Sequence, residues 1–178
     1  LPTTTADLWE TIAAAAGHES ALWNAALRPR EEQERDQVFS PLGEPRYALG
    51  IETIYEGYLL HYGRPRLFAP EDQDAALLLG DYLYAHGLVR IEEVGTVEAV
   101  SDLAELIALC AYLSAERIAG DGSVWAATAA ALGSGELEAG RSSLRLDSDP
   151  SPLERLARER SGDPAVDSAL ATHRRRLR

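Results

Sequence analysis

An ionised carboxylate inside an apolar helical stretch must be paired, must raise its pKa, or must hold a ligand or cation. Asp81, set within Ala75 to Ala85, and Glu105, set within Val97 to Leu113, are in that position. Glu52 and Glu56 carry a different signal: four residues apart, they offer two carboxylates from one helical face, a spacing that suits a shared cation and also recurs on solvated faces. Glu52, Glu56, Asp81 and Glu105 are therefore weak metal candidates, and magnesium is the ion expected if they cluster. Histidine offers less, because His18, His61, His86 and His173 share no i, i+4 ligand spacing, and His61 and His86 meet only if tertiary folding brings them together. Cys110 is the single cysteine, which excludes an internal disulfide and a multi-cysteine metal site; its apolar surroundings mark a core residue. No serine or threonine stands in a nucleophile elbow and no glycine-rich loop opens a helix. Acyl transfer and P-loop chemistry lack support, and no catalytic residue is expected.

The elements that must position these residues read as helices. Leu8, Ile12, Ala15 and Ala16 recur at helical spacing after the capping run Thr3-Thr4-Thr5, and Leu22, Trp23, Ala26 and Leu27 follow the interruption at Gly17. The charged run from Arg30 to Asp36 reads as a solvated helical stretch, and Ser40 to Pro45 as a loop. Tyr47 to Tyr62 gives a wide apolar face, with Glu52 and Glu56 on another, and Gly63-Arg64-Pro65 stops it. Glu71 to Glu93 is the most apolar helix. It is acidic in its first turn and apolar on nearly every side from Ala75 to Ala85 except at Asp81, so it is expected in the middle of a bundle. Thr96 caps a helix to about Ile118, whose stripe of Val100, Leu103, Leu106, Ile107, Cys110 and Leu113 suits antiparallel packing against its predecessor. A short helix from Ser123 to Leu132 follows. No strand-like alternation of useful length is present.

The chain has 178 residues, of which 46% are hydrophobic, enough for one sizeable core. The expected architecture is all-α, a single bundle of about six to eight helices. Residues 1–133 form the bundle domain, 134–152, rich in Gly, Ser, Asp and Pro, a flexible linker, and 153–178 polar C-terminal helices. The last helix ends in His173-Arg174-Arg175-Arg176-Leu177-Arg178, a basic run that complements the helix dipole. A net charge of −12, from 17 basic residues that are all arginine against 29 acidic ones, argues against nucleic-acid binding. The longest apolar runs are far below the roughly 20 residues of a membrane span, and the N-terminus lacks the order of a signal peptide, so a cytoplasmic protein is expected.

The segment from Ile51 to Leu113 resembles the front half of the all-α polyprenyl diphosphate synthase family. There, a helix ending in a histidine and an aspartate-rich motif precedes a loop, a helix with a Gly-Asp-aromatic-Leu signature, and a further amphipathic helix. Ile51-Glu52-Thr53-Ile54-Tyr55-Glu56-Gly57-Tyr58-Leu59-Leu60-His61 is similar to the first helix, Leu79-Gly80-Asp81-Tyr82-Leu83-Tyr84-Ala85 to the signature, and Val97 to Leu113 to the third. Where an active synthase has its aspartate-rich motif, this chain reads Tyr62-Gly63-Arg64-Pro65-Arg66. Aligning on the Gly-Arg-Pro loop instead places Glu52 and Glu56 at the ends of the motif and loses the paired arginines before that glycine. No second aspartate-rich motif appears downstream, and diphosphate ionisation needs such carboxylates to hold its cations.

The resemblance is closest to the non-catalytic component of two-component heptaprenyl diphosphate synthases. It implies a truncated isoprenoid-synthase-like bundle with no cofactor of its own, an oligomer that assists a catalytic prenyl synthase subunit. A hydrophobic isoprenoid ligand would lie near Tyr58, His61, Leu79, Asp81, Tyr82, Leu83 and Leu106. The alternatives are a stand-alone helical small-molecule-binding protein, a homodimeric scaffold, or an enzyme using the four carboxylates as a metal cluster.

Overall fold

Helix α3 (Ala48–Tyr62) is the element around which the others assemble: every residue from Gly50 to Leu60 is buried. The computed structural model describes residues 5–177, with side chains from Leu8 onward. Among them, α3 is preceded by α1 (Thr5–Glu19) and α2 (Ala21–Ala25), and followed by α4 (Gln73–Glu92), α5 (Val97–Glu116), α6 (Asp121–Ala130), α7 (Glu138–Asp147), α8 (Ser151–Ser161) and α9 (Asp163–Arg176). No strand occurs among the described residues beyond one isolated bridge between Leu27 and Phe68. The fold is an all-α bundle. Thr5 opens α1, while Thr3 and Thr4, the rest of the expected cap, lie outside the described residues, as does Arg178 of the basic end.

The central helix is α3, not α4 as its composition suggested. The Gly80-Asp81-Tyr82 helix buries one face only, through Leu79, Gly80, Leu83, Gly87 and Ile91, and turns Leu77, Leu78, Asp81, Ala85 and Val89 outward. The reason is close backbone approach to α3. A Cβ on Gly57 would meet the Gly80 carbonyl oxygen at 2.9 Å, and one on Gly87 would meet that of Gly50 at 3.1 Å. These glycines recur every seven residues on both helices, so two small-residue contacts two turns apart seat α4 against α3 and leave its far side open. Asp72 caps α4 by accepting from the Ala75 amide (2.8 Å), and Thr96 caps α5 by accepting from the Ala99 amide (3.3 Å), as its position in the sequence implied.

The core divides about α3. On one side Val38, Phe39, Tyr55, Tyr58, Leu106, Cys110, Trp125, Leu144, Leu153 and Val166 form the larger cluster. On the other, Leu8, Trp9 and Ile12 of α1 pack against Leu60, Leu67, Phe68, Leu79 and Leu83.

Two stretches differ from expectation. The charged run after Arg28 makes only a short 3-10 turn, Arg30–Glu32; Val38 and Phe39 after it enter the core, and so does Leu42 within the segment expected as a loop. Within 134–152, Glu138–Asp147 are helical, with Leu137 and Leu144 buried and Arg141 bonded to Asp102 (2.9 Å). Two buried leucines seven residues apart anchor α7, and its remaining polar residues resemble a linker in composition alone. Helices α8 and α9 fill the expected C-terminal helical segment and join the core through Leu153, Ala157, Val166, Ala169 and Leu170. No helix among the described residues is long and apolar enough to cross a membrane.

Candidate functional site

Glu52 and Glu56 are completely buried, which corrects the reading that set them on a separate, more polar face of their helix. Their partner is Arg66, delivered by the turn after α3 and equally buried. Its Nη1 donates to Glu52 Oε2 at 2.5 Å and its Nε to Glu56 Oε2 at 2.9 Å. The remaining carboxylate oxygens accept backbone amides: Glu52 Oε1 from Val38 (3.1 Å) and Ser40 (3.2 Å), Glu56 Oε1 from Arg66 and Leu67 (both 2.8 Å). The guanidinium also donates to the carbonyls of Asp36 and Glu52, and lies between the rings of Trp9 (4.6 Å) and Tyr55 (5.0 Å). Burial alone would lower the Arg66 pKa; the charges of Glu52 and Glu56 outweigh it and raise it. Every carboxylate oxygen here is occupied, so the pair cannot serve a metal ion without expelling Arg66.

A second constellation lies across α3, where α6 and α9 meet it. Asp121, the first residue of α6, accepts from Tyr58 Oη at 2.5 Å and lies 2.9 Å from His173 Nε2. His173 Nδ1 lies 2.9 Å from the Tyr55 hydroxyl. Because a carboxylate only accepts, Nε2 carries a proton toward Asp121, while Nδ1 and the Tyr55 hydroxyl share the other hydrogen bond. Burial would raise the pKa of Asp121, but the His173 and Tyr58 hydrogen bonds, with the Gly122 amide, hold it down at about 2. Burial, then the charge of Asp121, pushes Tyr58 up, and burial does the same to Tyr55. The phenols are therefore neutral donors. Both imidazole nitrogens are engaged, so His173 is no free general base; the network aims its donors at one carboxylate.

That carboxylate opens onto a cavity of about 250 Å³ lined by Tyr58, Tyr62, Cys110, Leu113, Ile118 and Leu177, with Ser114 and Arg117 at its polar side. Arg117 ends α5 in the left-handed conformation (φ 57°). Apolar walls with one anionic acceptor suit a short hydrocarbon segment or a small apolar group bearing a donor.

Of the residues expected to line a ligand site, Tyr58 borders this cavity. Leu106 lies deeper in the same core, while Leu79 and Leu83 belong to the cluster on the opposite side of α3. Asp81 is exposed, with Oδ1 3.1 Å from Nε2 of the partly buried His61. Tyr82 reaches the Ala15 carbonyl at 3.4 Å and stacks on His86, 5.4 Å between centroids. Glu105 pairs with Arg145. The four carboxylates do not converge, and no group of three or more His, Cys, Asp or Glu able to hold a metal ion occurs among the described residues. Cys110 is buried, and burial raises its thiol pKa.

Spacing did not single out Arg66 or Asp121, and it left His173 as one of four histidines without a shared ligand spacing. Arg66 follows a proline in a loop-like run, and Asp121 and His173 are 52 residues apart. A signal existed for His173, which lies with Arg176 on the face of α9 that includes Val166, Ala169 and Leu170. Arg176 is buried and bonds to Glu34 (2.8 Å), so the basic run at the C-terminus, expected to complement the helix dipole, also supplies two core-facing groups. Comparison of the chain with protein-family models, with curated proteins and with solved structures found no match.

Proposed function

We propose that this chain is a non-catalytic, polyprenyl-synthase-like helical subunit that works in the cytoplasm beside a catalytic prenyl synthase. The observation that carries this reading is the buried Glu52–Arg66–Glu56 triad. In the register set by the Gly-Arg-Pro loop, these two glutamates stand at the ends of the degraded aspartate-rich motif. An internal guanidinium occupies them where a synthase would need divalent cations to neutralise a departing diphosphate. The cavity beside Tyr58 supports a place for part of an apolar chain, and the outward apolar residues of α4 and α5 support a partner-binding face.

The test is reconstitution with a long-chain prenyl synthase from the same source. Co-elution together with a change in product length is expected; failure of both overturns the reading. Calorimetric titration with magnesium is expected to give no saturable heat, and heat abolished by Glu52→Gln would show that the triad opens to metal and that the chain is not the inert partner. A homodimeric scaffold is the second reading. It is favoured by the same α4 and α5 faces if they meet a second copy instead, and sedimentation of the purified chain distinguishes the two.

A further inference from the structure

A cleft of about 570 Å³ lies between α1 and the segment that follows α2, and its walls reverse the charge of the molecule. Glu10, Ala13, Ala14, Gly17 and His18 form one face of α1; Asn24, Leu27, Arg28, Arg30, Gln33 and Arg35 form the other wall. The chain as a whole carries −12, yet three arginines face one glutamate here. Several arginines elsewhere have carboxylates of their own: Arg66 has Glu52 and Glu56, Arg141 has Asp102, and Arg158 has Glu154, Asp163 and Asp167. In the cleft, Arg30 and Arg35 share the single carboxylate of Glu10. Arg28 makes no ion pair among the described residues; its Nε donates to the Phe68 carbonyl at 3.1 Å, which fixes the guanidinium and leaves its terminal nitrogens for another acceptor.

The wall is held in place. Arg28 N donates to Leu67 O (2.8 Å), Ala69 N to Ala26 O (2.7 Å) and Glu34 N to Arg66 O (3.2 Å), stitching the segment to the turn that carries the buried triad. Gln33 bonds to the Arg28 carbonyl through Nε2 (2.9 Å) and accepts from Arg35 Nη2 (2.7 Å), so the side chains brace one another. Two braced guanidinium groups, Arg28 and Arg35, with the exposed Arg30 beside them on Glu10, give an excess of positive charge that matches a tetrahedral oxyanion.

We propose that this cleft binds a phosphate-bearing small molecule, separately from the cavity beside Tyr58. The phosphate meets Arg28, Arg30 and Arg35, and the room left beside Asn24, His18 and the Ala13-Ala14 wall takes a polar organic body. A polyanion is excluded by the surroundings: beyond the cleft it would cross the surface of a strongly acidic protein.

Isothermal titration at low ionic strength tests this with three probes: inorganic phosphate, glucose 6-phosphate and glucose. Saturable binding of glucose 6-phosphate is expected, weakened at least tenfold by Arg28→Gln and by Arg30→Gln, and unchanged by Arg174→Gln on α9. Tighter binding of inorganic phosphate than of the ester would assign the site to the free ion, keeping the phosphate chemistry and overturning the organic body. Absence of heat with both phosphates up to about 10 mM, in a protein whose circular dichroism shows it folded, overturns the proposal, as does binding that Arg28→Gln leaves intact. Binding of glucose alone with equal affinity overturns it as well.

Discussion

Arg66 is the residue on which three segments depend. Its side chain and the two glutamates tie α3 to the loop at Val38 to Ser40 and to its own turn at Leu67, and Trp9 of α1 covers it. Removing one member of a buried ion group leaves uncompensated charge, so Arg66→Met is expected to destabilise the fold by about 3–5 kcal/mol in urea unfolding. In many proteins a buried ion group can be exchanged for apolar residues at little loss. Here the four amides of Val38, Ser40, Arg66 and Leu67 would lose their acceptors, so Arg66→Met combined with Glu52→Leu and Glu56→Leu is expected to stay destabilised by more than about 2 kcal/mol. A triple variant as stable as the native chain would refute that account. Asp121 gives a pH signature. Its carboxyl titrates at about 2 when folded, against an ordinary 3.8, so its contribution of roughly 2 kcal/mol is complete above pH ~4 and fades as the pH falls toward 2. Asp121→Asn should flatten the acid limb of the stability curve in that window, and an unchanged limb would show that His173 and Tyr58 do not hold the charge. The sequence exposed Glu52 and Glu56 as a spaced pair but gave no sign of Arg66. A pairing that joins a helix to the turn beyond it depends on where that turn folds back, and neither periodicity nor composition encodes this.

Helix types and limits were legible because each rests on short-range chemistry. Thr96 three residues before Ala99, the stop at Gly63 and Pro65, and the stripe through Leu103, Leu106 and Cys110 act within a turn or two. Which helix lies in the middle was not legible, because hydrophobic content counts apolar residues without saying how closely two backbones approach. The glycines of α3 and α4 supply that information. Alanine at position 57 would place its Cβ 2.9 Å from a backbone oxygen of α4, which cannot swing aside as a side chain can. Gly57→Ala should therefore cost about 1–3 kcal/mol by thermal or chemical denaturation, despite the better helix propensity of alanine. At Gly80 the same methyl meets the imidazole of His61 at 2.6 Å, the end of a movable side chain. Gly80→Ala is accordingly expected to cost less than Gly57→Ala, and to recover part of its loss when combined with His61→Ala. The reverse order would place the tight contact elsewhere. Helix α7 marks the opposite limit of pattern reading, since two buried leucines anchor it within a polar run.

At the scale of the whole molecule, the outward sides of α4 and α5 are the least expected surface of a chain this acidic. Helix α4 exposes Leu77, Leu78, Ala85 and Val89, and α5 exposes Val97, Ser101, Ala104, Ala108, Ala111, Tyr112 and Ala115. On α5 the sequence Val97, Ser101, Ala104, Ala108, Ala111, Ala115 alternates steps of four and three. It is a seam without charge or bulk along five turns, of the kind that lets another helix approach closely. Single apolar residues on a surface need no explanation, but on α5 they line up as a continuous strip, and the neighbouring α4 adds Leu77, Leu78 and Val89 with the exposed Asp81 among them. Exposed carboxylates elsewhere include Glu31, Glu32, Glu44 and Glu71. The association proposed above, with a catalytic partner or with a second copy, would use this strip. Since both substituted side chains would stand in solvent in the isolated chain, Ala104→Glu and Ala108→Arg should leave its thermal stability within about 0.5 kcal/mol of native while lowering association at least tenfold in analytical ultracentrifugation. Loss of association accompanied by loss of fold would mean that the seam packs within the chain. A native chain that sediments as a monomer at about 100 μM and binds no prenyl synthase would remove the interface altogether, leaving the strip as bare surface.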